Sequence, residues 1–251
     1  MKYNQEDFKQ LRHVGALTFE CLMFLGDQLK AGITTEDIDD LVKRYAEKHN
    51  LKCATNGYRG FPANCCTSVN HVACHGIPSR NKKLKDGDII SIDVTFINSN
   101  GYYGDSCYTY EVGEVSRKAE LVKSAARGAL WKGIEEIVPG NHIGHIGNAI
   151  QKYIEQETTC SVVKELVGHG IGKKFHESPD IPHTCREFNI SKTPILEPGM
   201  VFTVEPIINA GGPSVKVLND GWTTVTSDKN LSAQYEHTIG VTEKGCEIFT
   251  I

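Results

Sequence analysis

Apolar residues recur every three or four positions over residues 5–29, at Phe8, Leu11, Leu22, Leu25 and Leu29, and predict an amphipathic helix that stops near Gly32. A second helix follows, capped by Thr34 and Thr35 with Glu36 and Asp37, and it carries Ile38, Leu41, Val42 and Tyr45 on one face. From Lys52 to Pro78 that periodicity gives way to glycine, proline, cysteine and aromatic residues, the texture of irregular chain with short strands. After the turn Asp86-Gly87-Asp88, the β-branched run Ile89 to Phe96 predicts a strand, and Asn98 to Gly101 a hairpin turn. With that turn centred near Ser99, antiparallel pairing brings Asp93 and Asp105 opposite each other on one face. Ser116 to Val138 predicts a long helix through Leu121, Val122, Ala125, Leu130, Ile134 and Ile137, closed by Pro139-Gly140. Another helix runs through Ile146, Ile150, Tyr153 and Ile154. Strands are predicted at Met200–Glu205, Trp222–Thr226 and Ser232–Val241.

The pattern repeats. Gly32, Ile38 and Tyr45 align with Gly140, Ile146 and Tyr153 at one constant offset. Leu84-x-x-Gly87 before a strand that reaches Asp93 mirrors Leu196-x-x-Gly199 before a strand ending at Glu205, and His75 before Pro78 parallels His176 before Pro179. Landmarks matched in order predict an α/β architecture of two duplicated halves, about 1–115 and 116–251, within a single catalytic domain 1–251, with acidic strand ends meeting between them.

Composition narrows the function classes. With 31 acidic against 27 basic residues, and no Lys/Arg cluster interleaved with aromatics, there is no nucleic-acid groove to expect. Lys82, Lys83 and Lys85 read as a solvated turn. The nine cysteines are scattered without a Cys-x-x-Cys pair, which fits reduced thiols and a cytoplasmic setting better than a disulfide framework. Charged Glu6, Asp7 and Lys9 interrupt any signal-peptide core, and the apolar run Phe19 to Leu25 is too short to span a bilayer, so no membrane partner is expected.

Chemistry is densest from Gly168 to Glu177, where His169 lies between glycines and His176 follows Phe175. Glycines let backbone and ligand approach closely, and imidazole suits metal ligation or proton transfer near neutral pH. His71 and His75 have the spacing of a helical zinc pair, but Gly76 and Pro78 break any helix there and no Glu follows His71. Asp93, Asp105, Glu205 and Glu236 sit on predicted strands among apolar or β-branched neighbours, where an uncompensated charge is costly. Taken singly, each would be solvated or salt-bridged. Together with His169 they form an oxygen-rich donor set able to hold two divalent cations, favouring Mn, Fe(II) or Co over a structural zinc.

The motifs Cys74-His75-Gly76-Ile77-Pro78, Ile92-Asp93-Val94, Gly104-Asp105, Gly168-His169-Gly170-Ile171-Gly172, Phe175-His176-Glu177, Val204-Glu205-Pro206 and Gln234-Tyr235-Glu236-His237 resemble those of the type I methionine aminopeptidases, in their single-domain bacterial form. The resemblance covers essentially the whole chain. It implies the pita-bread fold, with antiparallel sheets of two pseudo-symmetric halves covered by helices around a dinuclear metal site. It implies Asp93, Asp105, His169, Glu205 and Glu236 as ligands of two divalent ions (Co, Mn, Fe(II) or Zn), Asp105 and Glu236 bridging. A metal-bridged hydroxide would attack the first peptide bond, with Glu205 as general base, His176 stabilising the oxyanion and His75 contacting the scissile amide. The methionine pocket would comprise Tyr58, Phe61, Cys66, Phe175 and Trp222, beside His75 and His176, with Thr55 giving a more polar rim than the cysteine of some relatives. Asn70 with Ser232 matches part of a monovalent-cation site. Cys107 and the loop Asp180 to Pro194 depart from the family pattern. The resemblance further implies nascent polypeptides at the ribosome as substrates, a small second residue, and a monomer.

Two rivals share these features in part. A proline-directed exopeptidase of the same fold, of the aminopeptidase P or prolidase type, would use the same metal set but usually carries an additional N-terminal domain, whereas this chain starts its first half almost at once. A non-catalytic peptide-binding module would have no need of five ligands and two further histidines.

Overall fold

The computed structural model describes residues 2–185 and 189–251. Helix α1, Gln5–Gln28, opens on a reciprocal cap: the Asn4 side chain accepts from the Glu6 and Asp7 amides, and the Asn4 amide in turn donates to the Asp7 carboxylate. Helix α2, Thr35–Lys48, starts the same way with Thr34 and Asp37, as expected. Short strands β1 (Lys52–Cys53), β2 (Cys66–Val69) and β3 (Val72–Cys74) occupy the irregular stretch. The hairpin β4 (Ile89–Ile97) and β5 (Tyr103–Glu111) follows, then helices α3 (Arg117–Glu135) and α4 (Ile143–Glu157). The remaining strands are β6 (Ser161–Val162), β7 (Gly168–Gly170), β8 (Glu177–Ile181), β9 (Val201–Val204), β10 (Ile207–Asn209), β11 (Val215–Val217), β12 (Thr224–Thr226), β13 (Ser232–Gln234), β14 (His237–Val241) and β15 (Cys246–Ile248).

These strands form antiparallel sheets: β1-β4-β2 with β5 beside β4, β15-β14-β9-β7-β8, β13-β10-β6, and β11-β12-β3. One hydrophobic core lies where α1 and α2 cover the first sheet, through Leu11, Leu22, Ile38, Val42, Ile92 and Phe96. A second lies where α3 and α4 cover the strands of the C-terminal half, through Val122, Leu130, Ile146, Ile150, Phe202 and Ile239. The landmarks matched in the sequence share backbone geometry. Gly32 and Gly140 have φ of 96° and 93° and donate to the Leu84 and Leu196 carbonyls at 2.8 and 2.9 Å, while Gly87 and Gly199 both have φ of 89°. Only glycine adopts that conformation without strain.

Two predicted details shift. The β4–β5 turn is wider than expected because Asn98 organises it: its side-chain oxygen accepts from the Asn100 and Tyr102 amides, both at 3.0 Å, and its own amide donates to the Tyr102 carbonyl. Asp93 therefore pairs with Cys107, and Asp105 with Thr95. The slip is two residues, so both carboxylates stay on one face as diagonal neighbours. The predicted strand Ser232–Val241 is also interrupted, between β13 and β14. The register that pairs Val204 with His237 and Ile207 with Gln234 sets Glu205 opposite Glu236 and Pro206 opposite Tyr235. Proline has no amide to give the ladder, so the paired strands part there, leaving two glutamates facing each other at the gap.

Candidate metal centre and cleft

The ladder gap and the β4–β5 hairpin converge at the base of a cleft of about 520 Å³. His169 reaches it from β7, where a Cβ on Gly168 would overlap the Thr203 carbonyl oxygen and one on Gly170 would lie 2.5 Å from that of Ser178. The flanking glycines are thus what lets β7 press against its neighbours. The His169 amide donates to Thr203 Oγ1 at 3.0 Å, and its Nδ1 lies 3.1 Å from the Gly170 carbonyl, which assigns the proton to Nδ1 and leaves the Nε2 lone pair free. That Nε2 faces Asp105 Oδ2 at 3.7 Å and Glu205 Oε1 at 3.6 Å.

One ligand atom each from Asp105, His169 and Glu236 lie within 4.8 Å of one another. Asp93 and Asp105, diagonal neighbours across β4 and β5, both face the cleft. Thr95 Oγ1 donates to Asp105 Oδ1 at 2.7 Å, Thr203 Oγ1 to Glu205 Oε1 at 2.7 Å, and Gln234 Nε2 to Glu205 Oε2 at 3.3 Å. All five residues predicted as ligands therefore meet. Burial pushes Asp93 up to about 7 and Glu205 up to about 8, and burial with mutual repulsion lifts Asp105 and Glu236 well above the carboxylate range. Burial likewise lowers His169 to about 4, keeping the imidazole neutral. Four crowded carboxylates and a neutral imidazole with its lone pair aimed among them form a donor set that divalent cations would neutralise.

His176 is sandwiched between His169, 3.9 Å away by ring centroids, and Tyr58, 5.0 Å away. Burial foremost, then His169, Arg59 and His75, holds it down at about 3. It touches the His169 imidazole ring to ring. His75, in the left-handed region at φ 54°, sets its ring edge-on to Trp222 at 5.9 Å, with burial lowering its pKa. This backbone is not helical, so the structure bears out the exclusion of a His71/His75 pair. Phe175 packs on Tyr58 at 4.7 Å, and Phe61 meets Trp222 edge-on at 5.2 Å over Cys66. Every residue predicted to contact substrate lines this cleft. Thr55 lines it too, but its hydroxyl donates to the Asn64 carbonyl at 2.6 Å, so the rim is less polar than its composition implied. Cys107 is buried beside Asp93, its thiol turned to the Gln234 carbonyl at 3.8 Å. In the loop 180–194, Asp180 borders the cleft, and residues 186–188 lie outside the described ones.

Residues 9–243 match Metallopeptidase family M24. A methionine aminopeptidase of Rickettsia prowazekii is 46 % identical over 250 residues, covering 99 % of this chain and 94 % of that protein. The chain belongs to family M24, in its methionine aminopeptidase branch. The Escherichia coli K12 methionine aminopeptidase is 43 % identical over 98 % of this chain and 92 % of its own length. Among solved structures of the family, that of the Rickettsia prowazekii enzyme superposes with a TM-score of 0.96 at 45 % identity, covering 100 % of this chain and 99 % of the other. The M24 fold alone is shared with the prolidase of Pyrococcus horikoshii, at TM-score 0.77, 18 % identity and 63 % of that chain.

Three positioning contacts were not anticipated. Thr203 and Thr95 are read in sequence as ordinary strand threonines, yet their hydroxyls orient Glu205 and Asp105. His183 is buried, and its Nε2 accepts the Glu205 amide at 3.2 Å. For Thr203 and Thr95 the sequence offers one signal, a threonine two residues before Glu205 and two after Asp93; for His183 it offers none.

Proposed function

We propose that this M24 aminopeptidase removes N-terminal methionine from nascent proteins and peptides whose second residue is small, using two divalent cations held by Asp93, Asp105, His169, Glu205 and Glu236. The observation that supports it best is the joining of that donor set to an apolar, aromatic slot within one cleft. Bound there, the cations would supply Lewis acidity and activate water at neutral pH. Asp105, on β5, and Glu236, in the gap between β13 and β14, would be two of the residues that hold them. Glu205 takes the water's proton on a carboxylate oxygen, with Thr203 and Gln234 holding its orientation. The neutral His176 donates a ring N–H to the carbonyl oxygen as charge develops, and His75 contacts the scissile amide. Tyr58, Phe61, Cys66, Phe175 and Trp222 surround an unbranched thioether and exclude water from it.

The five ligands come from both halves, 1–115 and 116–251, and the paired glycine geometry supports an ancestral duplication within one catalytic domain. Asn70 with Ser232 is proposed as a monovalent-cation site; the Ser232 amide already donates to the Asn70 carbonyl at 2.8 Å. The setting proposed is the cytoplasm, with a monomer acting on chains emerging from the ribosome. No helix among the described residues is long and apolar enough to cross a membrane. Hydrolysis of Met-Ala-Ser and Ala-Pro-Ala, assayed across added Co, Mn, Fe(II) and Zn, tests the reading. Cleavage of the first is expected. Preference for the second, or no activity with any metal, overturns it.

A further inference from the structure

Asp39 is the one buried acid of α2, only 9 % exposed, and the hydrogen bonds it accepts come from a single loop. Its Oδ1 accepts the Asn64 amide at 2.7 Å and the Cys65 amide at 3.1 Å, and its Oδ2 accepts Asn64 Nδ2 at 2.6 Å. Asn64 in turn gathers the far end of the same loop. Its side-chain oxygen accepts from Asn56 Nδ2 at 2.9 Å and its carbonyl from Thr55 Oγ1 at 2.6 Å. Beyond Thr55 the chain doubles back, with Gly57 donating to the Phe61 carbonyl at 2.8 Å and Phe61 to that of Tyr58 at 2.9 Å. The tip passes through Gly57, Arg59 and Gly60 at φ of 83°, 48° and 90°, and Arg59 is conformationally strained there as a non-glycine residue. Tyr58 is only half-buried and Arg59 and Gly60 are exposed, so apolar burial alone does little to hold this tip.

We propose that Asp39, which does not line the cleft, is a positioning residue for substrate specificity, fixing the 55–65 loop so that Tyr58 and Phe61 form the walls of the slot for the first side chain. This rests on the methionine-slot reading above. A carboxylate suits the task because three N–H groups converge on it and an ionised carboxyl only accepts. An alanine leaves all three without their acceptor. An asparagine keeps one oxygen for the two backbone amides but turns its NH2 toward that of Asn64. Asn64→Asp added to Asp39→Asn restores a donor–acceptor pair there, and the carboxylate introduced at position 64 still accepts from Asn56.

The test compares wild type, Asp39→Ala, Asp39→Asn and the Asp39→Asn/Asn64→Asp double variant, loaded with metal. Both single variants are expected to raise KM for Met-Ala-Ser, by about tenfold in the alanine, and to erode preference for Met-Ala-Ser over Leu-Ala-Ser by a similar factor, with metal content unchanged. The double variant is expected to recover both. A lowered melting temperature with KM and preference unchanged would make Asp39 a purely structural residue, and a double variant no better than Asp39→Asn would sink the proposal. Should the alanine variant fail to fold, the asparagine and double variants decide. Acrylamide quenching of Trp222 fluorescence, read in a Trp131→Phe background, gives a measure independent of turnover because Phe61 packs on Trp222. Quenching is expected to rise in Asp39→Asn and fall back in the double variant. If that pattern holds while wild type cleaves no Met peptide, the loop anchoring stands and the slot reading fails; unchanged quenching refutes the anchoring itself.

Discussion

Replacing Glu205 with glutamine separates catalysis from folding more cleanly than any other substitution in the cleft. The side chain keeps its shape. Its two oxygens are held by Thr203 Oγ1 at 2.7 Å and Gln234 Nε2 at 3.3 Å, and both partners can adapt to an amide, the hydroxyl by rotating and Gln234 by turning its own amide over. What is lost is an anion and a base. A positioned general base contributes about 10²–10⁴ in rate, which is about 3–5 kcal/mol of barrier, so kcat is expected to drop by that factor. KM is expected to stay within a few-fold, because the slot for the first side chain is formed elsewhere, by Tyr58, Phe61 and Trp222. Stability without metal moves the other way. Glu205 is pushed up to about 8 by burial, with Asp93 adding repulsion, so an uncharged amide relieves the cluster at and above that pH. Steady-state kinetics and denaturant titration of the chelated protein measure these three effects, and elemental analysis of the metal-loaded enzyme separates loss of the base from loss of a ligand. A kcat loss under tenfold, or equal damage to kcat and KM, would refute Glu205 as the base.

His176→Ala is expected to lower turnover while leaving metal content intact, since His176 meets the proposed donor set only through ring contact with His169; parallel loss of metal would make it a ligand. Gly168→Ala forces a Cβ onto the Thr203 carbonyl oxygen, so β7 must lift from β9 and carry His169 with it. A cost of about 1–3 kcal/mol and weaker metal binding are expected in melting and titration experiments, and unchanged values would show that the backbone yields freely. The chelated enzyme is expected to lose stability as pH rises above about 6.5, where the histidines are neutral in both folded and unfolded states. Asp93 and Glu205 have folded pKa values of about 7 and 8, above their ordinary 3.8 and 4.5, so the folded state holds the extra protons. Their contribution is therefore full below about pH 4 and lost by about pH 8. Denaturant midpoints at pH 7, 7.5 and 8, above the range in which the buried neutral histidines add stability with rising pH, check this, and a midpoint that climbs over that range overturns it.

Local chemistry already visible along the chain accounts for much of this protein. Thr34 and Asp37 cap α2 because both partners lie within one turn, and Gly32, Gly87, Gly140 and Gly199 mark positive-φ turns that other residues enter only with strain. The five residues proposed as ligands were legible for a different reason. Charged residues embedded in β-branched runs need compensation, and four acids with one glycine-flanked histidine leave few ways to supply it other than metal.

Tertiary structure decided what depends on partners far away in the chain. The pairing of Asp93 with Cys107 followed from Asn98 capturing two amides across the turn, a side-chain choice that strand propensity does not record. Glu205 faces Glu236 because Pro206 breaks the ladder opposite Tyr235, and neither residue alone announces the other. Asp39 looked like any helical acid until the fold brought Asn64 and Cys65 onto it, and the Thr55 hydroxyl looked available until Asn64 took it. The sequence by itself determined the elements, their turns and the inventory of donors, since these rest on contacts within a few residues. The fold alone determined register, orientation and which polar atoms remain free, since those are set by hydrogen bonds closed across long stretches of chain.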